Sequence, residues 1–177
     1  MNRLTRLSSL AAGLLGAALI SGCTGEAMGP PDPQFAKAST TSTEFTECSF
    51  QAYSATSGSI GPEGGRLKTG SHTLYVPAGA LDANTFITME ARSGTISRVS
   101  LGPEGLTFNK DYPARLLTRY TDCWIDAGAK QGIAYVDDDL RIVETTPSYD
   151  DRFSQTVDAK LSHFSDYVLL STYAVVY

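Results

Sequence analysis

The chain holds very little of what a catalytic centre is ordinarily built from. It has two histidines, His72 and His163, three cysteines and one tryptophan among 177 residues. It contains no HExxH pair, no GxSxG serine and no GKS or GKT loop, so the common signatures of zinc peptidases, serine hydrolases and P-loop nucleotide binders are excluded. No stretch sustains a helical apolar period, which excludes a helical bundle. Positive charge is also short, with 14 Lys and Arg against 19 Asp and Glu. Lys110, Arg115 and Arg119 are the nearest approach to a basic patch and read as scattered solvated charges. An acidic chain of this kind is a poor partner for nucleic acid or an anionic lipid surface.

What is present begins with "MNRLTRLSSLAAGLLGAALISGC". Arg3 and Arg6 form a charged start, and Leu10 to Ile20 is an apolar run too short to span a membrane comfortably. Small residues then lead to Cys23, so residues 1–22 read as a secretory leader. Ile20, Ser21, Gly22 and Cys23 resemble the bacterial lipobox, which implies that Cys23 carries acyl chains such as palmitate. Each buried methylene contributes about 0.8 kcal/mol, so a multiply acylated cysteine holds a soluble domain on a membrane without a spanning helix. The expected address is the bacterial cell envelope, with the outer membrane favoured over the inner because Thr24, not aspartate, follows the cysteine. Loss of Arg3 and Arg6 with the leader lowers the basic count from 14 to 12 and moves the net charge from −5 to about −7.

With Cys23 lipidated, Cys48 and Cys123 remain for one disulfide in an oxidising compartment. Closing a loop of that length contributes roughly 4 kcal/mol in the chain-entropy account. Two buried free thiols are the alternative, and no His or further Cys lies at metal-ligand spacing from either. Trp124 is expected to pack over the bridge. Residues 23–46 are rich in Pro, Gly, Ser and Thr and read as a flexible tether. Residues 47–177 then suffice for one domain with a real core.

Within that domain, short apolar stretches recur between turns: "HTLYVP", "TFITMEA", "RVSLGP", "ARLLTRY", "GIAYVDDDLRIVE", "FSQTVDAKLSHF" and "YVLLSTYAVVY". Alternation such as Leu74 with Val76 predicts half-buried strands. Antiparallel strands joined by short turns bury one face each, and packing two sheets achieves this. The expected fold is therefore an all-β antiparallel β-sandwich.

Two near-repeats punctuate it, "IGPEGGRL" from Ile60 to Leu67 and "LGPEGLTF" from Leu101 to Phe108. Both predict a tight turn, proline presetting one φ and glycine accepting a positive one. Between them lies "VPAGAL", with Pro77, Gly79, Ala80 and Leu81 forming a strand exit and compact turn. The order of Gly64 and Gly65, Leu67, "VPAGAL", a Thr/Ile strand, "GPEGLTF" and a final "HFS" resembles the ZU-five domain of netrin receptors and ankyrins and its bacterial relatives. It covers about residues 57 to 170. The resemblance implies a β-sandwich used for interactions, with no cofactor.

It also implies a chemistry to consider. Some tandem ZU-five proteins cut themselves within His-Phe-Ser. Here that would be the bond from Phe164 to Ser165, with Ser165 as nucleophile and His163 as base. An N-to-O acyl shift needs an activated serine and a carbonyl held for attack. On a plain strand His163 and Ser165 would share the wetter face while Phe164 anchors the core.

Asp137, Asp138 and Asp139, with Asp150 and Asp151 nearby, offer hard oxygens for calcium, but the spacing is not that of an EF-hand loop and solvated turns explain them. Exposed tyrosines, including Tyr167, Tyr173 and Tyr177, suit a glycan or protein surface. The leading expectation is a lipid-anchored, non-enzymatic interaction or structural module without a cofactor, bound to the membrane by its lipid and to an envelope protein or glycan. Self-cleavage and a calcium-dependent or glycan-binding adhesin are the alternatives.

Overall fold

A computed structural model describes residues 39 to 176. The expected leader, Cys23 and the first part of the expected tether lie outside the described residues. Fourteen strands follow in chain order. They are β1 (Ser39–Phe45), β2 (Glu47–Gln51), β3 (Ser54–Ile60), β4 (Gly65–Thr69), β5 (His72–Val76), β6 (Thr85–Ala91) and β7 (Gly94–Ile96). Then come β8 (Arg98–Gly102), β9 (Ala114–Arg119), β10 (Lys130–Val136), β11 (Ile142–Thr146), β12 (Ser148–Asp151), β13 (Thr156–Leu161) and β14 (Asp166–Val176).

All pairings between the strands are antiparallel, and no helix occurs among the described residues. The larger sheet runs β11, β10, β14, β8, β6, β3, with β1 also on β14; the smaller runs β12, β13, β9, β5, β4. β2 and β7 form a separate ribbon. The result is a sandwich-like all-β fold. Its main core joins Leu74, Val76, Leu116, Ala159 and Leu161 of the smaller sheet to Ile87, Met89, Val99, Ile133 and Leu169 of the larger one. Burying each large aliphatic side chain here contributes about 1.5–3 kcal/mol. The alternation of Leu74 with Val76 holds, both being fully buried while Tyr75 between them faces out.

Cys48 and Cys123 form the disulfide, fastening β2 to the loop after β9. Two expectations are corrected nearby. Trp124 does not cover the bridge: it is 66% exposed, and its backbone N–H donates to the Glu47 carbonyl. Nor does the tether reach Thr46, because β1 pairs with β14 from Ser39 opposite Val176 to Phe45 opposite Leu170. A strand at a sheet edge needs few apolar side chains, so Ser and Thr composition conceals it. Phe45 packs on a second small cluster with Val168 and Leu170, while Thr46 is buried and joins Gln131 and Ser171 through side-chain hydrogen bonds.

Both GPEG turns clamp a neighbouring segment. In the first, Gly64 N–H closes on the Gly61 carbonyl at 2.9 Å, and the Pro62 carbonyl accepts Gly79 N–H at 2.8 Å, fixing the "VPAGAL" turn. In the second the closing bond runs from Leu106 N–H to the Pro103 carbonyl, which frees Gly105 N–H for the Phe164 carbonyl at 2.9 Å.

Candidate functional site

The segment from His163 to Ser165 is not a continuous strand. It crosses between β13 and β14 laced to the second GPEG turn: Thr107 bridges His163, Phe164 N–H donates to the Leu106 carbonyl, and Leu101 N–H donates to the Ser165 carbonyl. Phe164 is fully buried and meets Phe108 edge to face at a centroid distance of 5.1 Å. This strand break is the reason simple alternation fails. Ser165, expected on the wet side, is only 5% exposed, while His163 is half-buried.

His163 and Ser165 border different clefts. His163 lines one of about 500 Å³ together with Phe108, Lys110, Tyr135, Lys160 and Tyr167. Its ring lies edge to face with Tyr135 at 5.3 Å, and the Tyr167 hydroxyl donates to its carbonyl at 2.5 Å. Burial raises the Tyr167 phenol well above the ordinary tyrosine value, so it remains a neutral donor. Ser165 lines a second cleft of about 320 Å³ beside Glu90, Arg92, Asp138 and Asp166, and Tyr135 forms a wall of both. No hydrogen bond connects the His163 ring to the Ser165 hydroxyl among the described residues. The His163 ring instead approaches the Phe164 carbonyl through Nδ1 at 3.2 Å. That carbonyl thus faces two potential donors, Gly105 N–H and His163 Nδ1, whereas the serine borders the other cleft, away from the histidine and among carboxylates.

His72 occupies the opposite situation. Fully buried on β5, it joins Thr118 through Nδ1 at 2.9 Å, and Ser97 of the larger sheet's side lies 3.5 Å from Nε2. Loss of solvation by burial lowers its pKa to about 4, so it is a neutral core residue near pH 7.

The aspartates act as turn braces. Asp137 Oδ1 accepts the N–H groups of Asp139 and Arg141, and Arg141 pairs with Asp139 at 3.2 Å. Asp150 accepts the Tyr120 hydroxyl at 2.6 Å and Gln131 N–H at 3.0 Å, tying β12 to β10. Asp151 accepts from Ser154, and those bonds hold its carboxyl below the ordinary range. Among the described residues no three His, Cys, Asp or Glu side chains converge as metal ligands.

Linear reading missed one grouping altogether. Arg115 and Arg119, taken as scattered, share the outer face of the smaller sheet with Arg66, Lys68 and Lys160. Strand alternation within "GRLKT", "ARLLTR" and "TVDAKL" was the available signal, but which strands lie side by side is a property of the sheet order. No protein-family model and no curated protein matches this chain.

Proposed function

We propose that this protein is a lipid-anchored module of the bacterial cell envelope, with a ZU-five-like β-sandwich domain that binds a partner and catalyses no reaction. The observation that carries this reading is the disposition of the "HFS" segment. Phe164 fills the core, His163 turns to an aromatic cleft, and Ser165 borders a different one, so the sequence's best candidate pair serves as a structural seam. The two clefts and the outer sheet face supply surface for recognition, and the disulfide braces the domain for an oxidising compartment. Acylation of Cys23 would retain the domain at the membrane.

Intact mass of the purified mature protein under denaturing, non-reducing conditions tests the central claim. One species, heavier than the polypeptide by its acyl groups, is expected. Cys23→Ala should move the protein from the membrane fraction to the soluble one; a Cys23→Ala protein that stays membrane-bound would overturn the anchor.

Self-cleavage is the second reading, and one contact favours it: the Phe164 carbonyl faces both Gly105 N–H and His163 Nδ1, as a carbonyl awaiting attack would. Two masses dividing at Phe164 and Ser165, abolished by Ser165→Ala, would establish it in place of the binding reading.

A further inference from the structure

The smaller sheet turns one face to the core and the other to solvent. Cross-strand register sets Lys160 beside Arg115, Arg115 beside Tyr75 and Tyr75 beside Arg66, so one row crosses four strands. The adjacent row carries Tyr149, Asp158, Leu117, Thr73 and Lys68. Arg66, Lys68, Arg119 and Lys160 form no ion pair among the described residues. Only Arg115 is paired, to Asp158 by a two-pronged bond that fixes the plane of its guanidinium. A chain of net charge −5 therefore presents one strongly basic face.

From this arrangement we propose that the outer face of the smaller sheet docks an acidic polysaccharide. The inference rests on the reading of the domain as an envelope binding module and names the partner's chemistry. Neighbouring strands lie about 4.8 Å apart, so Arg115 and Arg66 stand about 10 Å from each other with the Tyr75 ring between them. That is the scale of a disaccharide repeat, with the ring placed to stack on a sugar, the unpaired Arg66 on one side to meet a carboxylate, and Arg115, oriented by Asp158, offering only its remaining N–H groups on the other. Two shallow depressions continue the track and meet at Arg115. One holds Arg66, Thr73 and Tyr75, the other Tyr149, Asp158 and Lys160. Open depressions on a flat sheet suit a polymer laid across the strands better than a small molecule, which needs enclosure. Charge selects the polymer. Nucleic-acid affinity is dominated by densely spaced phosphates, and the acidic remainder of this protein opposes such a strand at long range. A sugar offers a flat apolar face that can stack on the Tyr75 ring while its carboxylate pairs with a flanking cation, so an acidic polysaccharide uses the aromatic and the basic side chains of this face together.

Binding of the full chain, in detergent, to polygalacturonate provides the test, with neutral dextran as control. Polygalacturonate should bind and weaken as salt rises, and dextran should not bind. Joint Arg66→Gln and Lys160→Gln substitution should lower affinity about tenfold or more, and Tyr75→Ala about fivefold, as truncation of Arg and Tyr anchors does at other interfaces. Lys130→Gln, on the larger sheet, should leave affinity unchanged. Thermal melts of the variants verify folding, and Arg66→Gln alone serves if the pair unfolds. No binding to polygalacturonate, affinity indifferent to these variants, or tighter binding to oligodeoxythymidine or phosphatidylglycerol vesicles would overturn the proposal. A single intact mass and membrane retention would persist in that event, so this failure is distinguishable from failure of the lipid-anchored module itself.

Discussion

The two GPEG turns share four residues and differ in almost everything else. The first closes upon itself and lends its Pro62 carbonyl to Gly79; the second closes one residue later and lends Gly105 N–H to Phe164. At Gly64 an added Cβ would meet three backbone atoms, Val76 O at 2.5 Å, Ala78 N at 2.7 Å and Pro77 C at 2.8 Å, whereas at Gly105 it would meet nothing within 4 Å. Both glycines have positive φ, 75° and 74°. One tetrapeptide therefore serves once as a close-packed corner and once as an open clamp. The first holds the turn that follows β5, at the opposite end of that strand from His72, and the second holds His163 and Phe164 directly. The lesson is that a turn motif specifies a local bend, while the segment packed against it decides which atoms it spends.

The largest expected effect removes the second turn's client. Phe164→Ala should destabilise the domain by about 3–5 kcal/mol in urea unfolding, since it empties a fully buried aromatic site. A loss below about 1 kcal/mol would show that the clamp holds its segment without the core anchor.

Gly64→Ala should follow at about 3 kcal/mol, combining left-handed strain with overpacking against backbone that has no rotamer to change. Near-wild-type stability for this variant would erase the distinction between the turns.

At the end of β5 away from the first turn, His72 adds a pH dependence. Its folded pKa, about 4, lies below the ordinary 6.5, so between those values the unfolded chain binds more protons. Stability contributed by keeping the ring neutral is complete above about pH 6.5, falls as the pH drops, and levels off below about 4. The full loss across that window is about 3 kcal/mol. Unfolding free energies of wild type and His72→Gln at pH 7, 5.5 and 4 isolate this contribution from that of the carboxylates. Parallel curves would place the proton elsewhere.

The smallest effect should come from Gly105→Ala, at about 1–2 kcal/mol, because only the positive φ opposes it. A cost matching that of Gly64→Ala would mean that the two turns are equally confined.

Much of this was written in the sequence because strands obey a period of two. Leu74 and Val76 announced an inward face, "GIAYVDDDLRIVE" announced a hairpin, and Cys48 with Cys123 left a single pairing. β1 was hidden because an edge strand of Ser and Thr resembles a linker. The break at Phe164 was hidden because one buried phenylalanine looks the same in a strand and in a crossing segment.

Only the tertiary structure separated His163 from Ser165 into different clefts and gathered Arg66, Arg115 and Lys160 around Tyr75. Local side-chain direction depends on neighbours along the chain, which the sequence records. Adjacency across a sheet depends on strand order and register, and these are decided only when distant segments bury their apolar faces together.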